Sequence, residues 1–130
     1  MKTSRLIPSA IALTVLAAAA PGLALADAAM AEATAAQHAT LAASGADMHA
    51  VQMHLHHVLN CLVGPDGDGF DASAGNPCQA AGGAIPQTTD ADMKKHLTEI
   101  AMHVHDAIMS NDVDAAKKTA MDVAGMLKKD

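Results

Sequence analysis

Four histidines fall within nine residues of the stretch DMHAVQMHLHHVLNCLVG, residues 47–64: His49, His54, His56 and His57. Met48 and Met53 are interleaved with them. Neutral imidazole is a ligand for copper, zinc and nickel, and a thioether selects Cu(I) among the common ions. Placed on a helix at 100° per residue, the stretch has two distinct sides. Met48, Val51, Leu55, Val58, Leu59 and Leu62 form one, an apolar stripe sufficient for a core. His49, Met53, His56 and Asn60 form the other at spacings of four, three and four, with His57 beside them and His54 on the flank near Cys61. Residues three or four apart on a helix stand over one another, so two imidazoles can reach a single ion.

A second region repeats the theme. Met93, Leu97, Ile100, Val104 and Ile108 make a core stripe, with His96 and His103 on its margin. Packed beside the first region, they would complete a site begun by His49, Met53, His56 and His57. His54, Met102, His105 and Met109 form a secondary set of candidate ligands. A single imidazole such as His38, on an alanine-rich helix, reads as an ordinary solvated side chain. Copper is the first expectation for the ion, because methionine is mixed with histidine and no thiol is to spare; zinc or nickel comes next. A surface of histidines that responds to pH is the competing reading, since imidazole titrates near neutrality.

Two cysteines, Cys61 and Cys78, flank a Gly-, Pro- and Asp-rich segment without helical period. In an exported chain such a pair predicts a disulfide, whose closed loop stabilises by about 3 kcal/mol in the chain-entropy model. Thiolate ligation is the weaker alternative, for there is no C-x-x-C and no second pair. The run DGDGFD within that segment has the look of a calcium loop. Phe70, however, stands where an oxygen ligand is required and Pro77 where the closing glutamate belongs, so turn chemistry is preferred.

Catalytic signatures are missing. There is no H-E-x-x-H, no G-x-S-x-G, no phosphate-cradling glycine loop and no C-x-x-C-H for covalent haem, and the expectation is a binding protein and not an enzyme. A di-iron bundle needs paired Glu-x-x-His motifs, whereas Glu32 and Glu99 are the only glutamates and Glu99 precedes His103 by four. Haem-mediated electron transfer is the alternative function. In size, export and helix count the chain resembles small periplasmic bundles that hold b-type haem through one Met and one His, but its final helix has Met121 and Met126 and no histidine. In composition it is similar to bacterial periplasmic proteins of copper or nickel tolerance, rich in His and Met on helices. The resemblance implies a sink, chaperone or sensor for the ion.

The elements that must carry these residues follow from composition. Lys2 and Arg5, an apolar run and Ala24–Leu25–Ala26 have the layout of a cleavable secretory signal over residues 1–26, with an uncleaved anchor as the alternative. A periplasmic domain over 27–130 is expected, out of the membrane once cleaved. It holds all 14 acidic residues against six lysines, no arginine, and Phe70 as its one aromatic residue. Nucleic acid is thereby excluded as a partner, while a protein partner or homodimer is left open. Four helices are predicted: about Ala28 to Ala43, Asp47 to Val63, the TTDADM stretch to Ser110, and SNDVDAA to the closing lysines. No segment alternates as a strand does. The expected fold is all-α, a small antiparallel four-helix bundle with a long loop, 64–89, between its second and third helices. The first helix, poor in large apolar residues, is expected to be the weakest and to dock loosely.

Overall fold

The computed structural model describes residues 21–129, with side chains from Asp27 onward. Helix α1 runs Pro21–Ala43, α2 Met48–Val63, α3 Ala84–Gln87, α4 Ala91–Met109 and α5 Val113–Met126. α3 is a single turn inside the long loop, so the four expected helices are the four long ones. Among the described residues there is no strand, and no helix is long and apolar enough to cross a membrane. The expected secretory signal lies outside the described residues over positions 1–20; residues 21–26 continue α1 as helical backbone.

Each long helix after the first starts where an aspartate can cap it. Asp47 accepts from the Ala50 amide at 2.9 Å, Asp90 from Met93 at 2.8 Å, and Asp112 from Asp114 and Ala115 at 3.0 Å each. These bonds satisfy amide donors that have no partner inside the helix. α2 ends at Gly64, whose amide closes the last helical bond to the Asn60 carbonyl at 3.0 Å and whose φ of +73° turns the chain out of the helix.

The helices pack in a ring: α1 against α2 and α5, α4 against α2 and α5. Val51, Leu55, Val58 and Leu62 of α2 meet Leu97, Ile100 and Val104 of α4 in the interior, and Ala116, Ala120 and Val123 of α5 close it. The expectation that α1 docks loosely is corrected here. Ala31, Ala35, Ala39 and Ala42 are each fully buried, at helical spacings of four, four and three. Alanine buries little area per residue, but its small side chain lets two helix axes approach closely and it has the highest helix propensity. α1 is thus an integral wall of the bundle.

The long loop is tied down along one edge of α2. The Cys61–Cys78 disulfide is present, with Cα atoms 5.3 Å apart. Cys78 Sγ also rests 3.8 Å from the Ala31 carbonyl oxygen, which sets the bridge against α1. Asn60, fully buried, donates from Nδ2 to the carbonyls of Asp71 (2.8 Å) and Gly75 (2.7 Å), and its Oδ1 accepts from the Asp71 amide at 2.9 Å. A buried amide side chain so satisfied stabilises one loop conformation over others. Asp71 in turn caps the short turn Ala72–Ala74, accepting from the Ser73 amide at 2.8 Å and hydroxyl at 2.6 Å. Those bonds, the hydroxyl's first, hold the Asp71 carboxyl below the usual carboxylate range. The aspartate that ends DGDGFD is therefore a turn residue.

Candidate metal centre

The α1–α2 hairpin brings together histidines far apart in sequence. Its connection is only residues 44–47, so positions equally distant from Ala46 face each other across the pair. His38 and His54 lie eight residues either side of it. His57 stands one turn beyond His54 on α2, on the same helix face. The segment 71–75 lies over the far side of His57. Each of the three rings is half-buried, shielded by neighbouring helices and the loop.

Their nitrogens converge. Each of His38, His54 and His57 offers one ring nitrogen within 4.8 Å of the other two, and among the described residues no other His, Cys, Asp or Glu side chains form such a group. His38 Nδ1 and His54 Nδ1 are 3.2 Å apart. Two nitrogens bound to one ion at 2.0–2.1 Å with tetrahedral angles are separated by about 3.3 Å, so this pair already stands at ligand spacing. The His38 ring meets the His57 ring edge-on, centroids 4.7 Å apart, and the His54 and His57 centroids are 5.8 Å apart.

Hydrogen bonding decides which nitrogens are available. His57 Nε2 lies 2.7 Å from the Ala74 carbonyl oxygen. A carbonyl only accepts, so Nε2 carries the proton and donates it, which leaves the lone pair of the neutral ring on Nδ1. Among the described residues, that Nδ1 is buried without a hydrogen-bond partner, as is the Nδ1 of His56. An orphaned buried lone pair is costly, and a cation is one of the few groups that would satisfy it. A ring nitrogen donating to a backbone carbonyl while its opposite nitrogen faces an ion is the usual arrangement of a metal-bound histidine. Between His38 and His54, one Nδ1 must donate and the other accept. An ion replacing that bond requires one proton to move to the distant Nε2 of its ring.

Burial acts on the charge of the cluster. Desolvation first, then the neighbouring His57 and His54, lower the His38 pKa from 6.5 to about 4. Desolvation, followed by His57, lowers that of His54 as well. Both rings are therefore neutral at physiological pH, which is the form that binds a metal. Three imidazoles so gathered could hold a metal ion.

The remaining residues singled out from sequence lie elsewhere. His49 and Met53 are exposed on α2, and Met53 is one turn before His57. His56 turns toward the loop, its Nδ1 3.6 Å from Asp71 Oδ2, beyond hydrogen-bond range but within reach of an ion pair when the ring is protonated. His96 is half-buried and His103 exposed on α4. α2 has α1 on one flank and α4 on the other, and His54 and His57 turn to the α1 side, so the α4 histidines do not join them. Met102 and Met109 are 57% and 69% exposed, and His105 lies on the same outer surface. Met102 and His105 line a cavity of about 730 Å³ together with Leu59, Val63 and Ile85. Of the sequence candidates, His57 and His54 belong to the cluster, and the third member is His38. It gave no signal by composition or local spacing; only the symmetry of His38 and His54 about the short turn marks it.

Comparison with known proteins finds no matching family model, no matching curated protein and no matching solved structure.

Proposed function

We propose that the protein binds a transition-metal ion through His38, His54 and His57, and that the ion is copper, taken up outside the cytoplasm by a periplasmic sink or carrier. The observation that carries the reading is the convergence of one ring nitrogen from each of His38, His54 and His57 within 4.8 Å, with the His38 and His54 Nδ1 atoms 3.2 Å apart. The buried Nδ1 of His57, left with the lone pair by the Nε2 bond to Ala74, supports it. Copper is favoured over zinc and nickel because Cu(II) binds nitrogen sites most tightly among the divalent first-row ions. Met53, one turn from His57 on the same helix, adds a thioether suited to Cu(I). The signal-like start of the chain and its disulfide support export.

Competition titration of the purified protein against a chelator tests this. His38→Ala and His57→Ala should each weaken Cu(II) and zinc binding by at least the tenfold to hundredfold that loss of even an outer-shell group costs. His49→Ala and His96→Ala should leave it near wild type, and Met53→Leu should weaken Cu(I) while sparing zinc. Equal binding by wild type and the His38→Ala/His57→Ala double variant would refute the site.

Haem is the second reading, favoured by the apolar cavity of about 730 Å³ beside His105. The three clustered rings leave no gap for a porphyrin between them, so haem would take its axial nitrogen from His105. A shifted Soret band with haemin, abolished by His105→Ala, is the result that reading requires.

A further inference from the structure

Resting on the metal-binding reading of His38, His54 and His57, we infer that the disulfide-closed loop selects the nitrogen with which His57 meets the ion, and that Asn60 is the residue that positions this loop. Among the described residues, the polar partner of His57 Nε2 is the Ala74 carbonyl, at 2.7 Å. Were that carbonyl withdrawn, the Nε2 proton would lose its acceptor and the ring could carry its proton on Nδ1, closing the lone pair otherwise available to an ion. Ala74 itself has no polar side chain with which to hold its place. Its carbonyl is set by what surrounds it: Asn60 Nδ2 binds the carbonyls of Asp71 and Gly75, on either side of Ala74, and Asn60 Oδ1 binds the Asp71 amide. Asp71 closes the turn between them through Ser73. The Cys61–Cys78 bridge, starting at the residue after Asn60, fixes the far end of the segment to the same helix.

His57, Asn60 and Cys61 lie within five residues of α2; the first two bind the segment 71–75 and the third is bridged to Cys78 just beyond it. The C-terminal half of α2 thus presents the ligand and also grips the backbone that orients it. The centre is complete only when the loop is closed, so a chain whose cysteines are not joined carries a weaker site. Orientation of a ligating imidazole by a carbonyl typically changes metal affinity tenfold to a hundredfold, which sets the size of the effect.

Nitrogen-15 resonances of the histidine rings in the metal-free wild-type protein test the tautomer directly, without any variant. The expected result is a protonated Nε2 and an unprotonated Nδ1 on His57; the opposite tautomer overturns the inference. Zinc alone then serves as the probe for affinity. Asn60→Ala, with the disulfide intact, and Cys61→Ser/Cys78→Ser should each bind zinc tenfold to a hundredfold more weakly and lose the single His57 tautomer, in protein confirmed to be folded by circular dichroism. A double-mutant cycle separates positioning from general destabilisation. In a His57→Ala background, Asn60→Ala should add little further loss, whereas a full additional loss means that Asn60 does not act through His57 and overturns the assignment. If wild type binds no zinc or copper, the metal reading fails; the tautomer measurement still decides whether the loop orients His57.

Discussion

His38 shows what a single residue does in this site. Its imidazole is held neutral by burial and by the two rings beside it, with a pKa of about 4 against 6.5 in the unfolded chain. Between those values the unfolded chain binds the proton and the folded chain does not, so stability in the absence of metal falls as pH drops from about 6.5 to about 4, and this residue adds nothing further below that. Denaturant titrations with a chelator present should show that acid-side loss, and His38→Leu should flatten it. A wild-type profile that is level from pH 7 to pH 4 would contradict the burial of His38 in the cluster. The same protons compete with the ion, so metal affinity should decline over the same acid range. At this scale the sequence was only partly legible. His57 and His54 could be read from their density on one helix, but a lone histidine among alanines has no periodic signature, and a contact across a hairpin is not a local pattern. The histidine-methionine stripe from His49 to His56 was legible as a stripe, yet nothing in its own spacing says whether a neighbouring helix covers it.

The elements were more readable than the site. Asp47, Asp90 and Asp112 mark the starts of α2, α4 and α5 because a short carboxylate before an apolar period has one strong use, capping. The disulfide followed from two cysteines flanking a segment that no helix could occupy. The packing of α1 is hidden from a reading of hydrophobicity by residue size. Its four buried alanines contribute by closeness of approach, which a sequence shows only when the partner surface is known. Ala35→Leu tests that role. Three extra carbons in a fully packed position should destabilise by about 1–3 kcal/mol in chemical denaturation, whereas a loosely docked α1 would accept them with no loss or with a gain. The pairing of α2 with α4 was likewise legible from two apolar stripes, but their rotation was not. Leu97, Ile100 and Val104 take the interior, and that leaves His103 on the outside.

At the scale of the whole molecule, a bundle with no tryptophan or tyrosine and many alanines has a thin apolar interior. It gains from the covalent staple between Cys61 and Cys78 and would gain a second from an ion joining α1 to α2. An ion that binds only the folded chain stabilises it in proportion to RT ln(1 + [L]/Kd), about 2.7 kcal/mol at a hundredfold excess over Kd. The unfolding temperature should therefore rise with copper in wild type and rise far less at the same copper concentration in His38→Ala, where the two helices lose their common ligand. The most direct measurement is X-ray absorption on the copper-loaded protein, wild type beside His38→Ala. Three imidazole nitrogens at about 2 Å from the metal in wild type, reduced to two with loss of tight binding in the variant, is the predicted result. A first shell that is the same in both proteins would contradict a centre built from His38, His54 and His57.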